Sequence, residues 1–468
     1  RTASDFNRFR IEISDLNVIQ EYCRTNNLSH LVDTKYTNVS IMKKLDAKVG
    51  DEVIQSADFD EFNFRVTYKV EETVSKNGKM GQELIDNWNK SRKLFRYIKR
   101  ISFINDDYPF RIDLSIVRTS SKDERGRLIK TYNVQDSNVF QNPETYEIEI
   151  EVINSNAKIK YNSADLLTKG VEHIAKIVLS GLQCTNFPIS YTEQKRTLSD
   201  YMKLIHEPEF KKKNQVYTPK ERIYPNDFIG PSSVTLQIKN IAPINPDMTV
   251  PNITAPYSYV VTDKADGDRH LLYVNDQGRI YLINMNMNVL FTGAKSTNPK
   301  CFNSLIDGEL ILHDKVNRQF INTFAAFDIY FVSGNDVRAR PFVEVPTKDA
   351  KYFEEGCRLP LLKEFIKALK PISILSKSSD KKESRAAASI MEMFKDENKS
   401  PITIISKSFY PRFKSRSLKK DEDEDVVEMP DKYNIFEACN YIQQRIESGL
   451  YNYYTDGLIF TPTLLGVG

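Results

Sequence analysis

The 468-residue sequence has little cysteine, no long apolar run and little net charge, and each shortage removes a class of protein. Its five cysteines (Cys23, Cys184, Cys301, Cys357 and Cys439) are scattered without a C-x-x-C pair. That argues against a zinc site or a disulfide framework and for a reducing compartment. No segment approaches the roughly 20 consecutive apolar residues of a membrane span, and the first residues lack the charged-then-apolar order of a signal peptide. No membrane partner is expected. A formal charge of +3 leaves any nucleic-acid partner to be met by local basic patches rather than by the field of the whole chain. There is no repeat at a solenoid period. What remains is a globular composition, 40% hydrophobic and 28% charged with 24 Tyr and 26 Phe, long enough for two or three domains. The chain opens at Arg1 without methionine and is read as a piece of something longer.

Runs rich in aromatic and β-branched residues mark strands in the first 200 residues: FNFRVTYKVEE (62–72), KRISFI (99–104), FRIDLSIVR (110–118) and TYEIEIEVI (145–153). Helical periodicity flanks them, in DFNRFRIEISDLNVIQEYCRTN near the start and in SADLLTKGVEHIAKIVLSGLQ (163–183). Residues 205–232 carry four prolines and a basic cluster without periodicity, which reads as an interdomain linker. Beyond it strands and helices alternate irregularly, as in an α+β domain, and Asn275-Asp276-Gln277-Gly278 reads as the turn of a hairpin. The stretch 376–400 is polar with an amphipathic helix inside, and 419–425 is a charge block of the kind that forms a solvated loop.

Two constellations carry chemistry. In the 145–153 strand Glu147, Glu149 and Glu151 repeat with period two, so their carboxylates share one face. An ordinary half-exposed strand is the plain reading. Three like charges side by side repel, however, and a hard divalent cation would offset them. On the inner face of a small barrel they become a metal platform, with Arg65, Lys99, Arg111 and Arg118 on other strands available to phosphate oxygens. Metal-assisted hydrolysis of a triphosphate is the matching reaction.

The second constellation is VVTDKADGDRH (260–270). An isolated K-x-D-G is more often a solvated turn. Here Lys264 ends an apolar run and Arg269 follows five positions on, so burial and a nearby cation are expected to lower the lysine pKa and free an amine nucleophile. Gly267 would admit close backbone approach to a nucleotide. Further along, LIDGEL reads as strand, D-G-E turn (Asp307 to Glu309), strand; Phe327-Asp328 places an aromatic beside an acid; and Asp456-Gly457 precedes the apolar Leu458-Ile459-Phe460.

The ordered series K-x-D-G-x-R, D-G-E, F-D, D-G-L-I-F resembles the covalent nucleotidyltransferases, the superfamily of mRNA capping guanylyltransferases and polynucleotide ligases. An aspartate at Asp456, where ligases carry glutamate, and the lead-in FIGPSSVTL (228–236) favour the capping enzymes, and a triphosphatase followed by a guanylyltransferase in one chain resembles those of large DNA viruses, mimiviruses among them. The YEIEIEV strand is similar to that of metal-dependent RNA triphosphatases with a tunnel fold. The resemblance implies an antiparallel β tunnel over residues 1–215 and an α+β nucleotidyltransferase domain over 216–468. It implies that Lys264 forms a lysyl–GMP phosphoamide, that Arg269 contacts the ribose and the RNA end, and that Glu309 holds ribose or metal. Phe327 would stack on guanine, Lys407 would read its edge, Asp456 would act near the α-phosphate and metal, and Asp266 would complete the GTP-binding set. Glu147, Glu149 and Glu151 would hold metal in the tunnel, and Asp113 would lie on a neighbouring strand. The implied cofactor is Mg2+ or Mn2+. The implied partners are GTP and the 5′-triphosphate or diphosphate end of RNA, with a methyltransferase domain or subunit possible downstream and a host-cytoplasm (viral factory) or virion location. A first-strand E-x-E pair is also implied. The sequence offers only Glu12, in a stretch read as helical, so the pair is expected upstream of Arg1. The resemblance further implies a lysine-rich motif and an OB-fold lid, which are not read in this sequence.

Two rivals stand beside this reading: an ATP-dependent polynucleotide ligase charging Lys264 with AMP, and a catalytically silent scaffold that binds RNA ends. Labelled GTP against labelled ATP separates transferase from ligase. The intact motifs argue against the scaffold.

Overall fold

A computed structural model describes residues 9–33, 38–105, 108–154, 161–241, 252–346, 355–375, 400–411 and 434–467. The helix read within 376–400 and the charge block 419–425 lie outside the described residues. The chain forms two compact units, Arg1–Lys176 and Ile177–Gly468, and the secondary structure is α+β throughout. Among the described residues no helix is long and apolar enough to cross a membrane.

The first unit is built on two antiparallel sheets of three strands. One has the order β1 (Phe9–Ile13), β2 (Val39–Asp46), β3 (Lys69–Thr73); the other has β5 (Phe110–Thr119) between β4 (Arg96–Ile104) and β6 (Thr145–Val152). The amino-terminal stretch read as one helix divides in two. FRIEI alternates and pairs with β2 as β1. The Asp15 carboxylate then accepts from the backbone of Asn17 and Val18 and starts α1 (Leu16–Thr25), the capping arrangement that ends an extended run and opens a helix. Glu12 is therefore a strand residue, ion-paired with Arg10. α2 (Leu28–Asp33) and α3 (Lys79–Asp86) complete a core of Val18, Tyr22, Leu28, Ile41, Leu84 and Ile85. The run at 62–72 is likewise split. Phe64–Val66 pairs back on Ala57–Phe59, while β3 pairs with β2. Among the described residues these sheets stay separate and do not close into a tunnel.

α4 (Ala164–Gln183) carries the chain from the first unit into the second. The sequence suggested a boundary near 215, but α5 (Tyr191–Lys212) belongs to the second unit, where Tyr201, Met202 and Ile205 pack on strand residues Leu271, Tyr273 and Phe291. The proline-rich stretch is not a free linker either. Its first part extends α5, and Ile229 donates from its backbone to the Tyr201 hydroxyl at 3.1 Å.

The strands of the second unit are β7 (Tyr259–Ala265), β8 (Asp268–Val274), β9 (Arg279–Asn284), β10 (Val289–Lys295), β11 (Ser304–His313), β12 (Phe320–Val332), β13 (Asn335–Asp336), β14 (Ile372–Ser373), β15 (Thr403–Ser406) and β16 (Thr455–Pro462). Eight of them form one sheet in the order β13-β12-β11-β8-β9-β10-β14, with β15 parallel to β12. Strand alternation gives the sheet two apolar faces. Leu271, Tyr273 and Tyr281 face α5, and Leu272, Val274 and Leu282 share a core with Leu359, Leu362 and Phe365 of α6 (Arg358–Leu369). β7 and β16 form a separate two-stranded ribbon, backed by α7 (Ile435–Glu447) through Tyr259, Val261, Ala438 and Ile442. The hairpin at Asn275–Gly278 forms as read, with Gly278 N–H donating to Asn275 O at 3.1 Å. Asp307-Gly308-Glu309 is not a turn. It runs straight through β11, paired with β8 on one side and β12 on the other, and that pairing uses the backbone groups a turn would need.

Candidate active site

Strand register assembles the second-unit motifs. Lys264 lies opposite Gly457 in the β7–β16 ribbon, where the pairing shifts between Lys264 and Ala265, so Asp456 comes beside the lysine and forms an ion pair with its ammonium. In the main sheet Arg269 lies opposite Glu309, and Leu271 opposite Asp307. Arg269, Asp307 and Glu309 therefore share one face.

Lys264 is not the buried, pKa-depressed amine expected from its apolar neighbours. Its side chain is 43% exposed. The hydrogen bond to Asp456 raises its pKa above the usual lysine value, and the charges of Glu309 and Asp266 push the same way. Gly267 has its close approach to protein rather than to open space: a Cβ there would lie 2.6 Å from the Leu310 carbonyl oxygen. Asp266 is exposed, and its backbone N–H donates to Tyr454 O at 2.9 Å.

Glu309 is a half-buried carboxylate. It makes no hydrogen bond or ion pair with any described residue, and burial pushes its pKa up to about 7 against the opposing pull of Lys407. Asp456 and Glu309 both act on Lys264. Two carboxylates, one of them unsatisfied, could hold a divalent cation only if its remaining ligands came from outside the chain. Among the described residues no group of three or more His, Cys, Asp or Glu converges closely enough to hold a metal by itself.

Arg269 is fixed on several sides. Nη2 lies 2.5 Å from Asp307 Oδ2 and Nη1 donates to Pro231 O at 2.8 Å. The guanidinium lies 5.4 Å from the Phe228 ring and 5.9 Å from Phe327. Tyr330 donates its hydroxyl to the same Asp307 oxygen at 2.5 Å. Phe327, half-buried on β12, is thus beside the arginine. Gly230 seats the 228–231 segment on this cluster, because a Cβ there would lie 2.4 Å from Arg269 Nη2 and 2.8 Å from Tyr330 Oη.

Lys407 is buried and turned inward. Its Nζ donates to the Asp263 carbonyl and lies 3.1 Å from Asp263 Oδ2, which also accepts from Tyr453 Oη at 3.1 Å. Burial lowers its pKa, with Asp263 opposing. The resemblance puts this lysine at the guanine edge; here its ammonium is occupied by Asp263.

In the first unit, Glu147, Glu149 and Glu151 do share a face, and each meets an arginine: Arg96 at 2.6 Å, Arg100 at 2.5 Å, and Arg111. Asp113 is buried among them, 3.1 Å from Arg100 Nη1 and 3.0 Å from Arg111 Nε. Of the four expected phosphate ligands only Arg111 is on this face. Lys99 and Arg118 alternate with Arg100 and Val117 in the β4–β5 register, and so point to the other face, where Arg118 pairs with Glu144 at 2.8 Å. Arg65 lies on the Phe64–Val66 hairpin, bound to Asp58. The three glutamates do not fit a metal platform in this arrangement, since their carboxylates are taken up by arginines instead of converging.

Sequence reading passed over Arg96, Arg100, Asp263, Asp307, Tyr330 and Tyr453. Arg96 and Arg100 alternate in β4 as the glutamates do in β6, a signal visible once the two strands are paired through β5. Asp307 stood inside the D-G-E motif. Tyr330 and Tyr453 carried no local signal.

Comparison with known proteins bears on the second unit most directly. Residues 221–348 match the family described as mRNA capping enzyme, catalytic domain. Over 251 residues the chain is 29% identical to the "Probable mRNA-capping enzyme" of Acanthamoeba polyphaga mimivirus. That alignment covers 53% of this chain and 16% of the mimivirus protein, so the chain spans a small part of its relative's length. Both findings support the resemblance to a viral mRNA capping enzyme read from the motif series.

Proposed function

Starting from the likeness of residues 221–348 to the catalytic domain of mRNA capping enzymes, we propose that the second unit transfers GMP from GTP to the 5′ end of RNA through a covalent bond to Lys264. One observation carries this reading: a half-exposed primary amine at a strand end, paired with Asp456 and in the field of Glu309. In the first step the Lys264 amine, its proton lost to solvent, attacks the α-phosphorus. A nitrogen–phosphorus bond forms as the bond to the pyrophosphate oxygen breaks. In the second step the terminal oxygen of a diphosphate RNA end attacks the same phosphorus, and the lysine leaves and is reprotonated. Asp456 aligns the amine for attack. Phe327 and Arg269 would receive base and ribose and Asp266 would complete the nucleotide site, which Lys407 would join only by leaving Asp263. A magnesium or manganese ion held by Glu309 and Asp456 would, when bound, offset the charge of the triphosphate. Incubation with α-phosphate-labelled GTP or ATP tests the reading. Label from GTP alone supports it, and label from ATP alone makes the protein a ligase.

The proposal extends to the first unit, as remover of the RNA γ-phosphate. It is supported by three guanidinium groups, Arg96, Arg100 and Arg111, on one sheet face. Their planar forks match phosphate oxygens, and the paired glutamates would hold the guanidinium groups in position on that face. Release of labelled γ-phosphate from triphosphate RNA tests this step.

A further inference from the structure

The basic stretch after α5 is an ordered strap that leads to Arg269. Its Tyr217 ring packs 5.1 Å from both His206 and Phe210 of α5. Further on, Tyr201 Oη donates to Asp227 O at 2.8 Å and accepts from Ile229 N at 3.1 Å. The strap ends where Pro231 O accepts from Arg269. From the last two residues of α5 to residue 224 the chain carries Lys211, Lys212, Lys213, Lys220 and Arg222 against the single acid Glu221. Lys211 is paired with Glu207 and Lys220 with Asp227. The side chains of Lys213 and Arg222 are exposed and make no ion pair or hydrogen bond to any described residue. Tyr224, two residues beyond Arg222, is 56% exposed.

Unpaired cations and an exposed aromatic ring on a pinned backbone suit single-stranded nucleic acid: the cations take phosphates and the ring takes the face of a base. Pinning matters because side chains held on an ordered segment lose less freedom on binding than those of a loose tail. The ten residues from Arg222 to Pro231 span at most about 30 Å even when extended, so Arg222 and Tyr224 lie within that reach of the Arg269 contact, with Lys213 further back along the strap. We propose that Lys213, Arg222 and Tyr224 form the landing surface for the single-stranded 5′ segment of RNA entering the second unit. This rests on the reading of that unit as a GMP transferase to RNA, and the test separates the two.

The probe is a fluorescent single-stranded RNA with a 5′-diphosphate end, titrated with the full chain at several salt concentrations. The double variant Lys213→Ala, Arg222→Ala should bind roughly tenfold more weakly at low salt. Its log–log salt slope should be smaller by about 1.4, at about 0.7 for each phosphate left without its cation. Tyr224→Ala should weaken binding by a similar factor with the slope unchanged. Covalent labelling by GTP should be that of the unaltered chain in all of them. If the double variant keeps both affinity and slope while GTP labelling persists, the landing surface is wrong and the transferase reading stands. If RNA binds through these residues but no variant, nor the unaltered chain, is labelled by GTP, the transferase reading fails and the surface survives. Residue-dependent binding of a phosphoserine-rich peptide, with none of RNA, would overturn the proposal.

Discussion

Arg269 and Asp307 are joined across neighbouring strands by an ion pair whose carboxylate has no solvent exposure, with Nη2 2.5 Å from Oδ2. Burial pushes the Asp307 carboxyl above the usual carboxylate range, with the hydrogen bonds from Arg269 and the Tyr330 hydroxyl opposing. Removing one partner of such a pair leaves a buried charge without compensation, at a cost of about 3 kcal/mol or more. Asp307→Asn should lower the protection of β8 and β11 amides against hydrogen exchange by that amount. Arg269→Lys should do nearly the same, because a point charge cannot hold Asp307 and Pro231 together. Unaltered protection in Asp307→Asn would mean that the pair contributes nothing to the sheet.

His270, the next residue, gives the fold an acid-sensitive point. Its ring is buried, with Nδ1 2.8 Å from Asp268 O, and burial lowers its pKa below the ordinary 6.5. The folded state thus holds the imidazole neutral at pH values where the unfolded chain takes up a proton. The contribution is fully present above 6.5 and is lost as pH falls below it, with a slope of at most about 1.4 kcal/mol per pH unit. Urea midpoints measured from pH 7.5 to 5 should fall less steeply for His270→Asn than for the unaltered chain. Equal slopes would remove His270 as the cause.

Glu149 separates the two proposed activities. Its side chain is 51% exposed and paired with Arg100, so Glu149→Ala should change stability by less than about 1 kcal/mol. It should lower γ-phosphate release at least tenfold, in rough proportion to the loss of an ordered Arg100, and leave GMP labelling intact. A parallel fall in both activities would assign Glu149 a structural part instead.

Much of the fold was legible because strand alternation is a local signal. The runs at 99–104, 110–118 and 145–153 all became strands, and 163–183 became α4. Misreadings arose where a partner outside the window decided the outcome. FRIEI joined a helical reading because its pairing with β2 is invisible locally, and D-G-E resembled a turn until strands on both sides claimed its backbone. The lysine's surroundings were misjudged for a related reason. Tyr259-Val260-Val261 suggested a buried amine, yet Lys264 ends a two-stranded ribbon rather than a central strand, and its nearest group comes from residue 456. Tyr453 and Tyr330, which complete the buried polar clusters, announce themselves only once register brings them to Asp263 and Asp307.

Lys264 is the residue proposed to become covalently attached to GMP. The most direct measurement incubates the chain with α-phosphate-labelled GTP and a divalent cation, digests it, and locates the labelled peptide by mass spectrometry. A guanidinium stays protonated and is no nucleophile here. Label confined to the peptide containing Lys264, absent from Lys264→Arg while that variant still binds GTP reversibly, is the predicted result. Label on another residue, or undiminished labelling of Lys264→Arg, would contradict it.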